Sequence, residues 1–148
     1  WQFSLGAILA LAHDVIITLG IFSLLTYEIN LSIVAAVLTI VGYSMNDTVV
    51  IFDRIRENLK KYSKISTSDI CDTSINETLS RTLITSVTTL LALLTIYIFG
   101  GEILKGFSFA MIIGVIVGTY SSIFVAAPIL NYTNVTQKTV LKEDIDKY

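Results

Sequence analysis

Residues 107–130 read FSFAMIIGVIVGTYSSIFVAAPIL, and no charged side chain interrupts them. A helix needs about 20 mainly apolar residues to cross the hydrocarbon core of a bilayer. Three further stretches meet this requirement, at 3–25, 31–52 and 82–99. Apolar runs of this length favour helices over buried strands. The sequence therefore predicts an all-α fold, a polytopic membrane bundle of about four transmembrane helices.

The composition of the whole chain fits a membrane protein. Of its 148 residues, 53% are hydrophobic and 15% are charged, and the mean hydropathy is +0.74. Soluble domains carry about 25% charged residues. The net charge of −2 lacks the basic excess of nucleic-acid binders, so no nucleic-acid partner is expected. The single cysteine excludes a disulfide framework or a cysteine-based metal centre within one chain.

Motifs for common enzyme chemistry are absent from the sequence. It contains no P-loop, no glycine-rich dinucleotide fingerprint and no HExxH pair. The lone histidine cannot form a metal site without further ligands. We therefore expect a protein that is not an enzyme and holds neither metal nor organic cofactor. Any work that it does would draw on an ion gradient or on a partner.

The connections between the spans predict an orientation. Two are short, at 26–30 and 100–106, whereas the middle one is long and charged. Cytoplasmic loops of membrane proteins are enriched in Lys and Arg. Of the ten Lys and Arg residues, only Lys105 lies away from the middle connection and the tail. The sequence thus predicts a multi-pass protein of the bacterial inner membrane whose middle connection and both termini are cytoplasmic.

Local signals refine the predicted helix ends. The charged segment after 52 continues the second helix to 58, and Ser74 with Glu77 forms a capping-box pattern that starts the third. We therefore predict a single transmembrane domain over 1–148, with a cytoplasmic connection at 59–74 and a cytoplasmic tail at 131–148. The predicted helices occupy 3–25, 31–58, 75–99 and 107–130.

Ionisable residues inside the spans are candidate functional residues. Each costs at least about 2.5–3.5 kcal/mol at the centre of a membrane helix. The first such place is His13 and Asp14, in the middle of the first span. Two readings stay open: a hydrogen-bonded pair that locks helices together, and a pair that handles protons.

The second place is Asp47, which follows Asn46 in the second span and has no cation within reach on its own helix. Arg81 enters the third span from the same side and keeps its charge under all ordinary conditions. A carboxylate that alternates between an ionised form paired with Arg and an isolated protonated form would carry protons. We predict that Asp47 and Arg81 form such a proton relay, with Asn46 as possible polar support.

Small and hydroxyl residues form two further patterns. Thr85 continues the polar face below Arg81; we read it mainly as a side chain bonded to its own helix, with polar support of the relay as the alternative. Gly114 and Gly118 form a GxxxG pattern, and together with Gly42 they are predicted helix-packing positions.

Three blocks of this sequence resemble the SecD/SecF family of bacterial protein-export membrane proteins, part of the resistance–nodulation–division superfamily. They are ALAHDV at 10–15, GYSMNDTVVIFDRIREN at 42–58 and RTLITS at 81–86. The run before the aspartate favours the SecF branch over the SecD branch. The resemblance implies that Asp47 is the family's proton-relay aspartate and Arg81 its essential arginine.

The resemblance also implies a complex and a mechanism. Family members use the proton gradient, with protons as the coupling ion, to promote late steps of protein translocation. SecD, the SecYEG channel and YajC would be partners, with membrane lipid around the helices. The four spans would be the last four of six, and the extracytoplasmic domain that captures the preprotein would be absent here. Two other functions remain open: a small-molecule exporter of the same superfamily, and a purely structural assembly module.

Overall fold

The computed structural model describes residues 1–62, 65–133, 135–136 and 139–141, and these contain no β-strand. Three helices and the helical segment from Gly101 to Tyr132 are long and apolar enough to cross a membrane. The predicted all-α fold with four membrane-spanning helices is confirmed. The elements are α1 (Gln2–Leu24), α2 (Leu31–Lys61), α3 (Thr67–Phe99), α4 (Gly101–Ser121), a π-helical turn (Ser122–Ala126) and α5 (Ala127–Tyr132).

Helix α4 lies at the centre of the bundle, where it contacts α1, α2 and α3. The buried apolar side chains form two separate clusters. One includes Phe22, Ile40 and Val115 and lies towards the end with the short loops. The other includes Ile55 and Leu130 and lies towards the end that is predicted to be cytoplasmic. Buried polar residues, among them Asp14, Ser44 and Thr48, lie between the two clusters, and we call this part of the bundle the polar level.

The third helix begins at Thr67, so the predicted start at 75 and the predicted connection at 59–74 are wrong. Ser66 caps the helix: its hydroxyl accepts a hydrogen bond from the Asp69 backbone N–H at 3.2 Å and donates to Asp69 Oδ2 at 2.6 Å. Ser74 lies inside the helix and donates to the Ile70 carbonyl at 2.7 Å. The same Ser-x-x-acid pattern occurs twice between the end of α2 and residue 77, and the earlier copy is the cap.

The other helix ends also differ from prediction. Helix α2 continues to Lys61 instead of ending at 58. Helix α4 begins at Gly101 instead of 107, because Gly101 adopts φ = +74°, a conformation open to glycine, and turns the chain within one residue. Two described residues of the predicted tail, Val135 and Val140, are fully buried and belong to the cluster that includes Ile55 and Leu130. Some lysines on which the predicted orientation also rests lie outside the described residues: Lys64, Lys138, Lys142 and Lys147.

Candidate functional site

Asp14 lies at the middle of the polar level and is completely buried. Its Oδ2 accepts a hydrogen bond from the Ser44 hydroxyl of α2, and its Oδ1 lies 3.1 Å from Nδ1 of His13. Its backbone carbonyl accepts from Thr18 at 2.7 Å. Both carboxylate oxygens therefore have partners, and one of these bonds ties α1 to α2. His13 is only partly buried, with 30% of its side chain exposed.

Helices α2 and α4 run parallel and meet through a ladder of contacts spaced one turn apart. Ile40 packs on Gly114, Ser44 on Gly118, and the Thr48 hydroxyl lies 3.1 Å from the Ser122 hydroxyl. A Cβ atom at Gly114 would lie 2.3 Å from Ile40, and one at Gly118 would lie 3.2 Å from Ser44 Cβ. The close approach of these helices therefore depends more strictly on glycine at position 114 than at position 118. We call the contacts Ile40–Gly114, Ser44–Gly118 and Thr48–Ser122 the α2–α4 ladder.

The prediction that Gly42 packs helices together is wrong within this chain. Gly42 is exposed, and an added Cβ atom would meet nothing within 4 Å. It precedes Ser44 by two residues, which places it on the side of α2 that faces away from the ladder. The signal of a small residue in a membrane helix does not tell which side of the helix is covered.

Asp47 is also buried, with 5% of its surface exposed, but its surroundings differ from those of Asp14. Its Oδ2 has no hydrogen-bond partner among the described residues. The neighbouring Asn46 is exposed, so its side-chain amide lies outside the core. A buried carboxylate oxygen without a partner is costly and rare in proteins, and it marks a candidate for chemistry.

Arg81 faces the boundary between α2 and α3, and hydrogen bonds across that boundary define its level. Tyr43 bonds Thr89 at 3.5 Å and Asn58 bonds Ser74 at 2.9 Å, so the paired residue numbers of these antiparallel helices add to 132. On this register Thr85 lies level with Asp47. Arg81 is four residues further along, about 6 Å nearer the predicted cytoplasmic end at 1.5 Å per residue.

Asp47 and Arg81 do not form a direct ion pair. No nitrogen of Arg81 lies within 4.0 Å of the Asp47 carboxylate, and Arg81 is exposed. Arg81 nevertheless lies only about one helical turn from the level of Asp47 along the bundle axis. The structure therefore places the two predicted relay residues near each other but not in contact.

A polar pocket of about 330 Å³ lies beside Arg81, between α2 and α3. Glu77, on the same wall as Arg81, is held from across the pocket. Its Oε2 accepts from Arg54 Nε at 2.6 Å and from Asn58 Nδ2 at 2.8 Å. Arg54 also donates to Glu57 at 2.6 Å. We call the bonds from Arg54 and Asn58 to Glu77 the Glu77 clamp.

The hydroxyl stripe on α3 is bonded mainly within its own helix. Thr85 donates to the Arg81 carbonyl at 3.0 Å, and Thr88 to the Ile84 carbonyl at 2.8 Å. This agrees with the interpretation that these residues bond their own helix. Three hydroxyls of α3 do contact other helices. Ser74 and Thr89 accept from Asn58 and Tyr43 of α2, and Ser86 lies 2.7 Å from Thr119 Oγ1 of α4.

Several residues of the polar level could not be identified from the sequence. Ser44, Thr48 and Ser122 resemble the many other hydroxyl residues in these spans. Their common spacing is the one available signal, since Ser44 and Thr48 are four residues apart, like Gly118 and Ser122. Among the described residues, no group of three or more His, Cys, Asp and Glu side chains could hold a metal ion.

Comparison with known proteins gives matches over nearly the whole chain. Residues 1–136 match the family described as "Protein export membrane protein SecD/SecF, C-terminal". The sequence is 59% identical over 136 residues to the protein translocase subunit SecF of Rhodothermus marinus, and 51% identical over 148 residues to that of Rhodobacter capsulatus. These matches cover 88% and 100% of the chain but 44% of each relative, so the chain spans less than half their length.

Two solved structures share the fold. One is a crystal structure of SecDF in a super-membrane-facing form, with a TM-score of 0.87 and 43% identity over 100% of this chain and 20% of that chain. The other is SecDF from Thermus thermophilus, described as a translocon-associated membrane protein. Its TM-score is 0.86 and its identity 47%, over 91% of this chain and 19% of that chain.

Proposed function

Because the chain belongs to the SecD/SecF family of protein export membrane proteins, we propose that it forms the membrane core of a SecF subunit that uses the proton gradient to promote protein translocation. One observation supports this proposal above all others. Asp47 is buried in the bundle with a carboxylate oxygen that has no hydrogen-bond partner in the described part of the chain, and Arg81 lies about one helical turn away.

The proposed relay works through the charge on Asp47. When Asp47 is ionised, it attracts the Arg81 guanidinium, which remains charged throughout. When Asp47 takes up a proton, the attraction ends and Arg81 returns towards the polar pocket. Transfer of one charge through 100 mV releases about 2.3 kcal/mol, which can bias a conformational change.

The proposed partners follow from the names of the relatives and from the family resemblance. The solved neighbours are SecDF proteins, so SecD is the first proposed partner. SecYEG and YajC are proposed as further partners, together with a translocating preprotein. The proposed cellular location is the bacterial inner membrane, with the charged α2–α3 connection in the cytoplasm. The protein would be a transporter subunit and not an enzyme, with protons as the only coupling species.

A purely structural role is a second candidate, and Asp14 favours it. Both oxygens of Asp14 are engaged, and its bond with Ser44 ties α1 to the α2–α4 ladder. A fully satisfied buried carboxylate specifies how helices pair and need not exchange protons. We therefore propose that His13 and Asp14 support the structure and that the relay is confined to Asp47 and Arg81.

The experiment that tests the relay is Asp47→Asn in the full-length chain, co-expressed with SecD. The amide keeps the size of the side chain but cannot alternate between charged and neutral forms. We expect export to lose its response to the proton gradient while chain level and SecD association stay normal. Asp53→Asn is the matched control, because it removes the same charge from an exposed position of α2. Gradient-dependent export that survives in Asp47→Asn would refute the relay and favour the structural role.

A further inference from the structure

Glu77 and Arg81 lie four residues apart on α3, with the acid nearer the N-terminus. This is the favourable order and spacing for an ion pair on one helix face. Both side chains line the same polar pocket. A Glu77–Arg81 pair is therefore the default arrangement for this segment of α3.

The structure has a different arrangement. Glu77 is bound from across the pocket by Arg54 at 2.6 Å and by Asn58 at 2.8 Å. Asn58 is buried and also donates to Ser74 at 2.9 Å, so its amide is fixed in position on the α2 side. Arg81 has no carboxylate oxygen within 4.0 Å in the part of the chain that the structure describes.

We infer that the Glu77 clamp is a positioning device that withholds a competing carboxylate from Arg81 and so reserves Arg81 for Asp47. The inference rests on the proposed relay. Glu77 and Asp47 lie on opposite sides of Arg81 along the bundle axis, and one guanidinium cannot serve both. By engaging Glu77, Arg54 and Asn58 withdraw a carboxylate that would otherwise compete with Asp47 for Arg81. Neither residue needs to touch Asp47 or a proton in transit.

The inference predicts a specific pattern of loss and rescue. Arg54→Gln removes the charged donor, frees Glu77 to bind Arg81, and should lower gradient-driven export. An exposed ion pair at this spacing changes the ratio of paired to unpaired Arg81 by about twofold. An ion pair that is less exposed to water changes this ratio by more. We therefore expect a loss of at least about twofold. Glu77→Gln alone should leave export near normal, because the carboxylate that the clamp withholds from Arg81 is then absent. The double variant should recover, because Glu77, the freed carboxylate one turn before Arg81 on the same helix, is gone.

The test measures proton-gradient-driven export by the full-length chain with SecD, at matched chain levels. Asp53 lines the same pocket, so Asp53→Asn combined with Arg54→Gln is the matched control and should not restore export. If Arg54→Gln fails to accumulate, Asn58→Ser weakens the clamp from its other donor. It should give a smaller loss that Glu77→Gln again relieves.

A clamp that merely ties α2 to α3 gives the opposite pattern. Glu77→Gln would then impair export by itself, and the double variant would be no better than Arg54→Gln. That pattern, normal export in Arg54→Gln, or equal rescue by Asp53→Asn would overturn the inference. Asp47→Asn is measured in parallel. If it abolishes gradient dependence while Arg54→Gln is normal, the clamp alone fails; if it has no effect, the relay itself fails.

Discussion

Gly114 offers the sharpest test of the α2–α4 ladder. An alanine there would place its Cβ atom 2.3 Å from two side-chain carbons of Ile40 and 2.9 Å from a third. Carbon atoms that do not share bonds are most stable at about 3.5–4.0 Å. Ile40 is 1% exposed, so it cannot swing away from the contact. Either the two helices separate by about 1 Å or Ile40 adopts a strained rotamer.

The expected change in the free energy of unfolding of Gly114→Ala combines two opposing effects. Overpacking of this kind costs roughly 1–3 kcal/mol. Replacing glycine by alanine within a helix stabilises that helix by about 0.5–1 kcal/mol. We expect Gly114→Ala to destabilise the folded chain by roughly 1–2 kcal/mol. Gly118→Ala should cost less, because its nearest contact would be 3.2 Å from Ser44 Cβ and needs only a small shift. Gly42→Ala should be neutral or slightly stabilising, since nothing lies within 4 Å.

The assay is reversible unfolding of each variant in mixed micelles by added SDS, followed by circular dichroism. Ile40→Ala removes the atoms that the new methyl group would strike, so it should be less harmful in the Gly114→Ala background than alone. The interaction energy of this double-mutant cycle should exceed about 0.5 kcal/mol. Strict additivity, or a cost for Gly42→Ala equal to that for Gly114→Ala, would refute the ladder.

Two further substitutions test the polar level and the start of α3. Ser44→Ala leaves Asp14 Oδ2 buried without its donor and should cost roughly 1–3 kcal/mol in the same assay. Thr39→Ala is its control: that hydroxyl donates only to its own helix, so a comparable loss there would contradict the assignment. Ser66→Ala removes the N-cap of α3 and should cost about 1 kcal/mol, with faster amide exchange in the first turn. If Ser74→Ala loosened that turn instead, the helix start at Thr67 would be wrong.

The number and type of the helices could be predicted from the sequence because they depend on the length of each apolar run. The start of α3 could not be predicted in the same way. Ser66 and Ser74 both begin a Ser-x-x-acid pattern, and local chemistry does not rank them. Tertiary packing does: Ile70 and Cys71 are buried against the cluster at the predicted cytoplasmic end, which stabilises the additional turns.

The candidate site was predicted in part. Asp14, Asp47 and Arg81 stand out because each is ionisable within or beside an apolar span. Their partners are not apparent in this way, because serine and threonine are common in membrane helices and usually bond their own backbone. Ser44 acquires its role only when α1 packs against α2. The π-helical turn at Ser122–Ala126 is equally invisible in the sequence, although such turns are frequent near functional sites.

The two sides of α2 differ in a way that bears on the proposed mechanism. Towards α4, the ladder interlocks Ile40, Ser44 and Thr48 with small residues, and such close packing has little room for motion. Towards α3, one oxygen of Asp47 has no partner within the ranges that the structure describes, and the polar pocket beside Arg81 leaves space for a long side chain to move. Because Arg81 is on α3, its approach to Asp47 requires a change at the α2–α3 boundary alone. The ladder can therefore stay intact and serve as the fixed frame against which the relay moves.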